Sequence, residues 1–594
     1  MPAVFHSVCH VIQRHYTVHP TTKSAAETSA ERYLFCLPAL RTPDTFYVSH
    51  CVRFSRWHIF VAAFLSQFCL GSLYAWSVYN AYIDDYIVGD PTAGRAVLAF
   101  YIASGCFGVS AAILGPWLER VGPRYAITFA TTLFLLGHLG TGLAIAIKSM
   151  VGVYLSYGVV AGTGMGLCYS SPIATLQKWF PDLRGTASGF AVCGFGAGPV
   201  LWAVAFPYPL QALQVPLYLS FPAFGLAMSL VLYFCAMVMR NPPSGFIAHG
   251  KDMHGINHER VNLLAHGQTI GTTDDDRNGS LKSRRPRQDE CGHVILFVPE
   301  DLASIPVAED DLNRTPIVEG EPHPHEYYRE CDLDDAELFY FQRVKQLSLV
   351  QCLFSPDFVF LWCMFLFASV FGLVLLSRLK DTDLRVFSGN ATAPTTADVD
   401  RAELMVSYNG IFNFAGRLLW PMASDVVIRL GGLNPATGRK LIFGVNLCVQ
   451  LLVALLLRSA LRTKDHVAFQ ALVWTLTFVY GGGFGTIPCF LCDMFGAFNI
   501  GALHGIILTC WSIAGVGGGL GFSSLFDAAE IHHSILSAYE TALPMFAIGA
   551  GVGLLSLLLV RTNPVDRFAP GYQYSVGRSI LCSFKPKGWQ FQHM

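Results

Sequence analysis

Charged side chains are scarce in this 594-residue chain: Asp, Glu, Lys and Arg together make up 14%, against about 25% in an ordinary soluble domain. Beside a hydrophobic share of 53%, that shortage excludes a simple water-soluble fold and assigns most of the chain to a lipid bilayer. A net charge of −1 leaves no basic field for nucleic acid or for an acidic surface. Cysteine is present 17 times, yet no paired CxxC…CxxC spacing occurs. The cysteines therefore read as small core residues, not as a disulfide framework or a metal centre. No nucleotide loop or nucleophile constellation stands in a polar domain, so neither an enzyme nor a resident cofactor is expected. Acids are missing from the deep parts of the apolar stretches; Glu403, Asp493 and Glu540 lie only near their ends.

What is there is a series of apolar runs, each near the roughly 20 residues a helix needs to cross a bilayer. Six fall at 57–79, 95–118, 125–147, 151–175, 184–206 and 217–239. Six more fall at 354–378, 401–423, 440–460, 466–490, 500–525 and 541–561. The expected architecture is an all-α membrane protein of twelve transmembrane helices in two six-helix pseudo-symmetric bundles. Its domains are an N-terminal extension (1–56), a first bundle (57–239), a central loop (240–352), a second bundle (353–561) and a tail (562–594). The central loop, with Asp274–Asp276, Arg284, Arg285 and Glu309–Asp311, has a composition that favours disorder. The two halves share a pattern. Gly166, Pro172, Gly185 and Gly189 recur as Gly482, Pro488, Gly501 and Gly505 with the same spacings of 6, 13 and 4. Such repeats, with glycines that let helix backbones approach, mark carriers that rock about a central site.

One charge breaks the apolar pattern. Arg417 sits in Gly410-Ile-Phe-Asn413-Phe-Ala-Gly416-Arg417, eight residues before Asp425, or about 12 Å along a helix. In a hydrocarbon core about 30 Å thick that is close to the midplane. A guanidinium there costs at least about 2.5–3.5 kcal/mol and cannot shed its proton. With no deep carboxylate to repay that cost, the expected partner is a small organic anion held through the planar fork. The competing reading is an ion pair with an acid of a neighbouring helix. Asn413, one turn away, can orient Arg417, touch the substrate or pack helices. Tyr74, Tyr169, Tyr480, Phe484 and Trp511 can line the site or simply pack. His504 and His138 are the groups inside spans that could carry a coupling proton, and His504 is the better candidate. A neutral imidazole bonded to backbone is the alternative for both.

The loop Gly115-Pro-Trp-Leu-Glu119-Arg120-Val-Gly122-Pro-Arg124 resembles the signature loop of the major facilitator superfamily, with a degraded second copy containing Asp425, Arg429 and Gly431. Here Gly115 is expected to turn the helix end. Glu119 with Arg120 and Arg124 is expected to form a charge latch, with Gly122, Asp425 and Arg429 as further members. Gly71-Ser-Leu-Tyr74-Ala-Trp76, Lys178-Trp-Phe-Pro181-Asp-Leu-Arg184-Gly185, Asn241-Pro-Pro-Ser-Gly245 and Asn413-x-x-Gly416-Arg417 resemble the oxalate:formate antiporter family within it. The similarity runs from Trp57 to Arg561. It implies a major facilitator fold and transport of small carboxylates. It also implies an arginine of the eighth helix and a lysine of the eleventh, caged by aromatic rings. Arg417 matches the arginine; Trp511 stands where the lysine is expected. One cation instead of two favours a monocarboxylate such as pyruvate or lactate over oxalate. Oxalate/formate exchange is the alternative; a non-transporting sensor or a neutral-solute carrier on the same fold ranks lower.

The expected partners are the substrate anion, the bilayer and, open at this point, protons; a monomer is expected. Loop charges do not decide orientation, so the resemblance alone puts the termini in the cytoplasm. A plasma-membrane location is expected. The acid-free start with Val4, Phe5, Val8, Val11 and Ile12 on one face leaves a mitochondrial, plastid or other internal membrane as the alternative. Glu259–Leu264 resembles a dileucine sorting signal, and Asn390 would be an external glycosylation site.

Overall fold

The computed structural model describes residues 14–18, 23–38, 46–253 (save 92 and 244–245), 344–388 (save 345–346) and 395–584 (save 532–533, 569–570 and 577–578). The acidic clusters of the central loop, the dileucine-like segment, Asn390 and the first thirteen residues lie outside the described residues. Six long helices precede that interval: α1 (Trp57–Val78), α2 (Val97–Val121), α3 (Pro123–Ala146), α4 (Met150–Trp179), α5 (Arg184–Leu210) and α6 (Leu217–Val238). Six follow it, beginning with α7 (Pro356–Ser377) and α8 (Thr396–Gly431). Next come α9 (Pro435–Arg462), α10 (His466–Phe495), α11 (Ile500–Glu530) and α12 (Ile535–Leu559). Eleven of these are long and apolar enough to cross a membrane. The other, α8, carries Asn409, Asn413 and Arg417 through its middle.

Local chemistry sets the ends. Ser355 caps α7 by accepting from the Phe358 amide, and Asp465 caps α10 by accepting from Ala468. Thr395 and Asp398 form a reciprocal capping box at the start of α8, satisfying two otherwise orphaned amides. That helix continues past Asp425 to Gly432, whose φ of 57° ends it in the left-handed region. Gly122, at φ 84°, turns the chain between α2 and α3. The helix continues through Gly115, so the turn expected there comes seven residues later, about two helical turns on.

The glycines of the internal repeat occupy equivalent contacts. On α5, Gly185 and Gly189 face α8: a Cβ on Gly189 would sit 2.9 Å from the Arg417 carbonyl oxygen. On α11, Gly501 and Gly505 face α2, where a Cβ on Gly505 would sit 2.1 Å from the Ala111 carbonyl oxygen. The first six helices thus meet the last six along two backbone-close seams, α5 with α8 and α2 with α11.

The segments flanking the helices are more built than a plain tail. Residues Tyr33–Pro38 and Phe46–Arg53 form an antiparallel hairpin. The buried Arg240 guanidinium donates to the carbonyls of Glu31, Tyr33 and Leu34, fastening that segment to the end of α6. After α12, Arg561 pairs with the buried Asp357, and a second hairpin, Tyr572–Val576 with Ser579–Phe584, follows.

Candidate functional site

The α8 helix brings its polar stripe to the centre because both of its neighbours are stripped of side chains there. A Cβ on Gly196 of α5 would lie 2.9 Å from both Arg417 Cδ and Asn413 Oδ1, and one on Gly481 of α10 would lie 2.5 Å from the Asn413 carbonyl oxygen. Into this slot Arg417 is packed at 1% exposure. Its Nε donates to Asn413 Oδ1 at 2.7 Å. Its guanidinium carbon lies 5.5 Å from the Phe195 ring and 5.1 Å from the Phe484 ring. Among the described residues no carboxylate pairs with it, and Nη1 has no hydrogen-bond partner.

Aromatic rings from both halves of the sequence close around this cation. Tyr74 lies 5.0 Å from Phe195 and 6.2 Å from Trp511. Phe107 lies 5.3 Å from Tyr169 and 5.1 Å from Trp511. Tyr480 and Phe484 are 5.0 Å apart, and Tyr169 is within interaction range of Arg417. All seven residues expected to touch the substrate, from Tyr74 to Trp511, therefore converge on one centre. Phe107, Phe195 and Phe365 belong to it as well. The sequence carried no motif for them, although Phe195 is bracketed by Gly194 and Gly196.

This centre holds several buried polar atoms with no hydrogen-bond partner among the described residues. The Tyr480 hydroxyl and Trp511 Nε1 lie within interaction range of each other without a well-formed hydrogen bond, and Nδ1 of His504 has no partner among the described residues. An unpaired buried polar group costs about 1–3 kcal/mol, so Arg417 Nη1, the Tyr480 hydroxyl and the Trp511 indole N–H around one point form a place prepared for acceptors. The His504 ring stacks on Tyr169 at 5.8 Å. His138, by contrast, is bonded to the Phe134 carbonyl at 2.8 Å among Tyr157 and Phe221 and takes no part.

Access is one-sided. A vestibule of about 220 Å³ reaches Asn413, Gly196 and Tyr74. Its walls are the end of α1, the start of α2, the end of α7 and the first half of α8. These are the helix ends away from the Gly115–Arg124 loop. On the loop side the centre is sealed by buried charges. Asp425 of α8 accepts from the Gly185 and Thr186 amides of α5 at 3.0 and 2.8 Å. Its counterpart Glu119 of α2 accepts from the Gly501 amide of α11 at 2.6 Å and from Lys178 at 2.5 Å. Asp493 of α10 receives Arg184 of α5 at 2.7 Å and Arg439 of α9 at 3.0 Å. Arg429 donates to the Asp182 carbonyl at 2.9 Å.

The membership of this seal differs from the expectation. Glu119 does not pair with Arg120 or Arg124. Arg120 is taken by the His15 carbonyl at 2.7 Å, and Arg124 by Cys36 Sγ at 3.3 Å and the more distant Glu31. The cations of the seal are Lys178, Arg184 and Arg439. The first two stand in the Lys178–Gly185 motif, which was not expected to supply the latch.

Comparison with known proteins adds to this geometry. The family model described as Major Facilitator Superfamily matches residues 58–519. The oxalate:formate antiporter of Oxalobacter formigenes is 23% identical over 502 residues, covering 83% of this chain and 92% of that protein. Apicoplast pyruvate carrier 1 of Toxoplasma gondii is 35% identical over 111 residues, 18% of this chain and 20% of that one. Among solved structures, the proton:xylose symporter XylE bound to 6-bromo-6-deoxy-D-glucose aligns with a TM-score of 0.54 at 13% identity, covering 85% of this chain and 94% of that one. That last likeness is one of fold.

Proposed function

This chain belongs to the major facilitator superfamily and is a multi-pass membrane transporter, not an enzyme; from that premise we propose that it carries a small monocarboxylate, pyruvate or lactate in size, by alternating access around Arg417. The observation that carries the reading is a guanidinium in the middle of α8 that is 1% exposed, faced by two aromatic rings and matched to no acid among the described residues. Phe, Tyr and Trp faces shield the charge from water but supply no counter-charge equal to a carboxylate. An acid arriving through the vestibule provides it, with two charge-assisted bonds to the planar fork.

Neutralisation also supplies the drive. A ligand biases a conformational equilibrium only through its different affinity for the two states. A bare guanidinium passes through reorientation dehydrated and unpaired, whereas one in an ion pair passes through it neutralised. The loaded carrier therefore reorients faster than the empty one, and exchange of acid for acid outruns net flux. Reorientation then requires the seal at Asp425, Glu119 and Asp493 to open as the vestibule closes.

Two findings bear on the choice of acid. The antiporter relative, matched over most of its length, supports oxalate and formate as a second reading. Against oxalate stands Trp511, an indole packed beside Tyr74 and Phe107 where a second cation would have to be. A dianion beside a single arginine leaves one carboxylate dehydrated and unpaired, at a cost of several kcal/mol. Uptake of labelled pyruvate, lactate, formate and oxalate into proteoliposomes tests both readings, comparing wild type with Arg417→Gln. Pyruvate or lactate uptake that the variant loses supports the proposal. Equal uptake by the two proteins rejects the site, and competition by oxalate but not by pyruvate rejects the choice of cargo.

A further inference from the structure

We infer that Asn413 is a specificity-determining residue that reads an oxygen on carbon 2 of the transported acid, at the foot of a ladder of neutral donors along α8. The inference rests on the carboxylate reading above and names a narrower substrate class for the same site.

The orientation of the Asn413 amide follows from its partner. A guanidinium nitrogen only donates, so the Asn413 atom 2.7 Å from Arg417 Nε is the carbonyl oxygen. Its NH₂ group is thereby turned to the other side. That group has no hydrogen-bond partner among the described residues and is not sealed off, and Asn413 lines the vestibule. One turn up the same face, the Asn409 oxygen accepts from Thr477 Oγ1 at 2.5 Å, which leaves a second NH₂ on the same vestibule. The step between the two is four residues, about 6 Å of helix rise. Along α8 the vestibule thus meets an amide and then a second amide, and the guanidinium lies buried one turn beyond them. Each presents N–H groups, and only the last carries charge.

A carboxylate seated on Arg417 has Asn413 as its immediate neighbour. The atom of a short acid that comes within reach of that NH₂ is the substituent on carbon 2. An oxo or hydroxyl oxygen there accepts the bond. A hydrogen there leaves the amide dehydrated and unpaired, the situation in which polar sites reject an analogue most strongly. Because the vestibule is open to water, the discrimination is that of one net hydrogen bond, about tenfold. The class assigned is short 2-oxo and 2-hydroxy acids ahead of unsubstituted acids of the same length. Asn409, too far to touch the same short acid at Arg417, serves the approach and not the choice.

The test is competition against labelled pyruvate in proteoliposomes of the full chain, using pyruvate, lactate and propionate in wild type, Asn413→Ala, Asn409→Ala and Arg417→Gln. In wild type, pyruvate and lactate should compete about tenfold better than propionate. Asn413→Ala should bring all three to the propionate level, and Asn409→Ala should weaken all three alike while keeping their ratio. A wild-type ratio near one overturns the inference, whatever the variants do. So does a uniform loss in Asn413→Ala, which would make the residue a prop for Arg417. If Arg417→Gln transports like wild type, the carboxylate site itself has failed; if it is inactive and the ratio survives Asn413→Ala, only the reading of carbon 2 has failed.

Discussion

Replacing Asp493 by asparagine should open the loop side of the carrier. Asp493 is 4% exposed and receives two arginines that are also buried, Arg184 from α5 at 5% and Arg439 from α9 at 2%. Breaking one buried pair by removing a partner costs about 3–5 kcal/mol, because the surviving charge is left dehydrated. Asparagine keeps one carbonyl acceptor and can serve one of the two arginines, so the penalty falls to roughly half, about 1.5–2.5 kcal/mol. This penalty applies only where the residues are buried together; once the seal opens, water solvates both guanidiniums. The equilibrium should therefore move toward the loop-side-open state by about 10- to 60-fold, at 1.4 kcal/mol per factor of ten. Ser188 gives the readout. Its hydroxyl donates to the Gly485 carbonyl at 2.5 Å across the α5–α10 contact, and the residue is 0% exposed. A cysteine placed there, followed by peptide mapping to separate it from the native cysteines, should react with a water-soluble maleimide at least tenfold faster in the Asp493→Asn background. An unchanged rate in a protein with intact helix content would refute the argument that these charges hold the loop side shut.

Other perturbations probe the centre. Trp511→Lys adds the second cation beside Arg417 and should make oxalate a competitor at least tenfold better than in wild type; no gain would show that the indole is not what excludes the dianion. Gly196→Ala puts a methyl group 2.9 Å from both Arg417 Cδ and Asn413 Oδ1. Overpacking of that kind costs about 1–3 kcal/mol, so acid uptake should fall about tenfold or more while circular dichroism stays that of wild type. His504→Gln should abolish any stimulation of uptake by an imposed proton gradient and leave acid exchange running. The same response to the gradient in both proteins would remove His504 as the proton carrier.

The spans were legible because apolar length is a property of sequence alone; each run of about 20 residues became a helix with ends a few residues from the expected ones, α8 departing most at Thr396–Gly431. The isolation of Arg417 was legible for a related reason. A helix with no deep acid can be recognised without knowing what surrounds it. What could not be read was which partner each surface charge would choose. Arg120 and Arg124 sit beside Glu119 in sequence, but on the helix end they point to the N-terminal segment, while Lys178 reaches Glu119 across 59 positions of chain. Likewise the Tyr33–Arg53 hairpin, anchored by Arg240 two hundred residues away, depends on contacts that no local pattern encodes. Phe107 and Phe195 were invisible because one phenylalanine among 44 looks like core until its neighbours are known.

The seating of α8 has a mechanical corollary. Helices that interlock ridge into groove must disengage their side chains before either can shift. Gly189 and Gly196 on one flank, and Gly481 and Gly485 on the other, present α8 with almost bare backbone. A rod held between two such smooth rails can slip by a fraction of a turn along its length without unmeshing any teeth, the small shear by which packed helices move. Such a shift would change the depth of the guanidinium while the flanking walls stayed put.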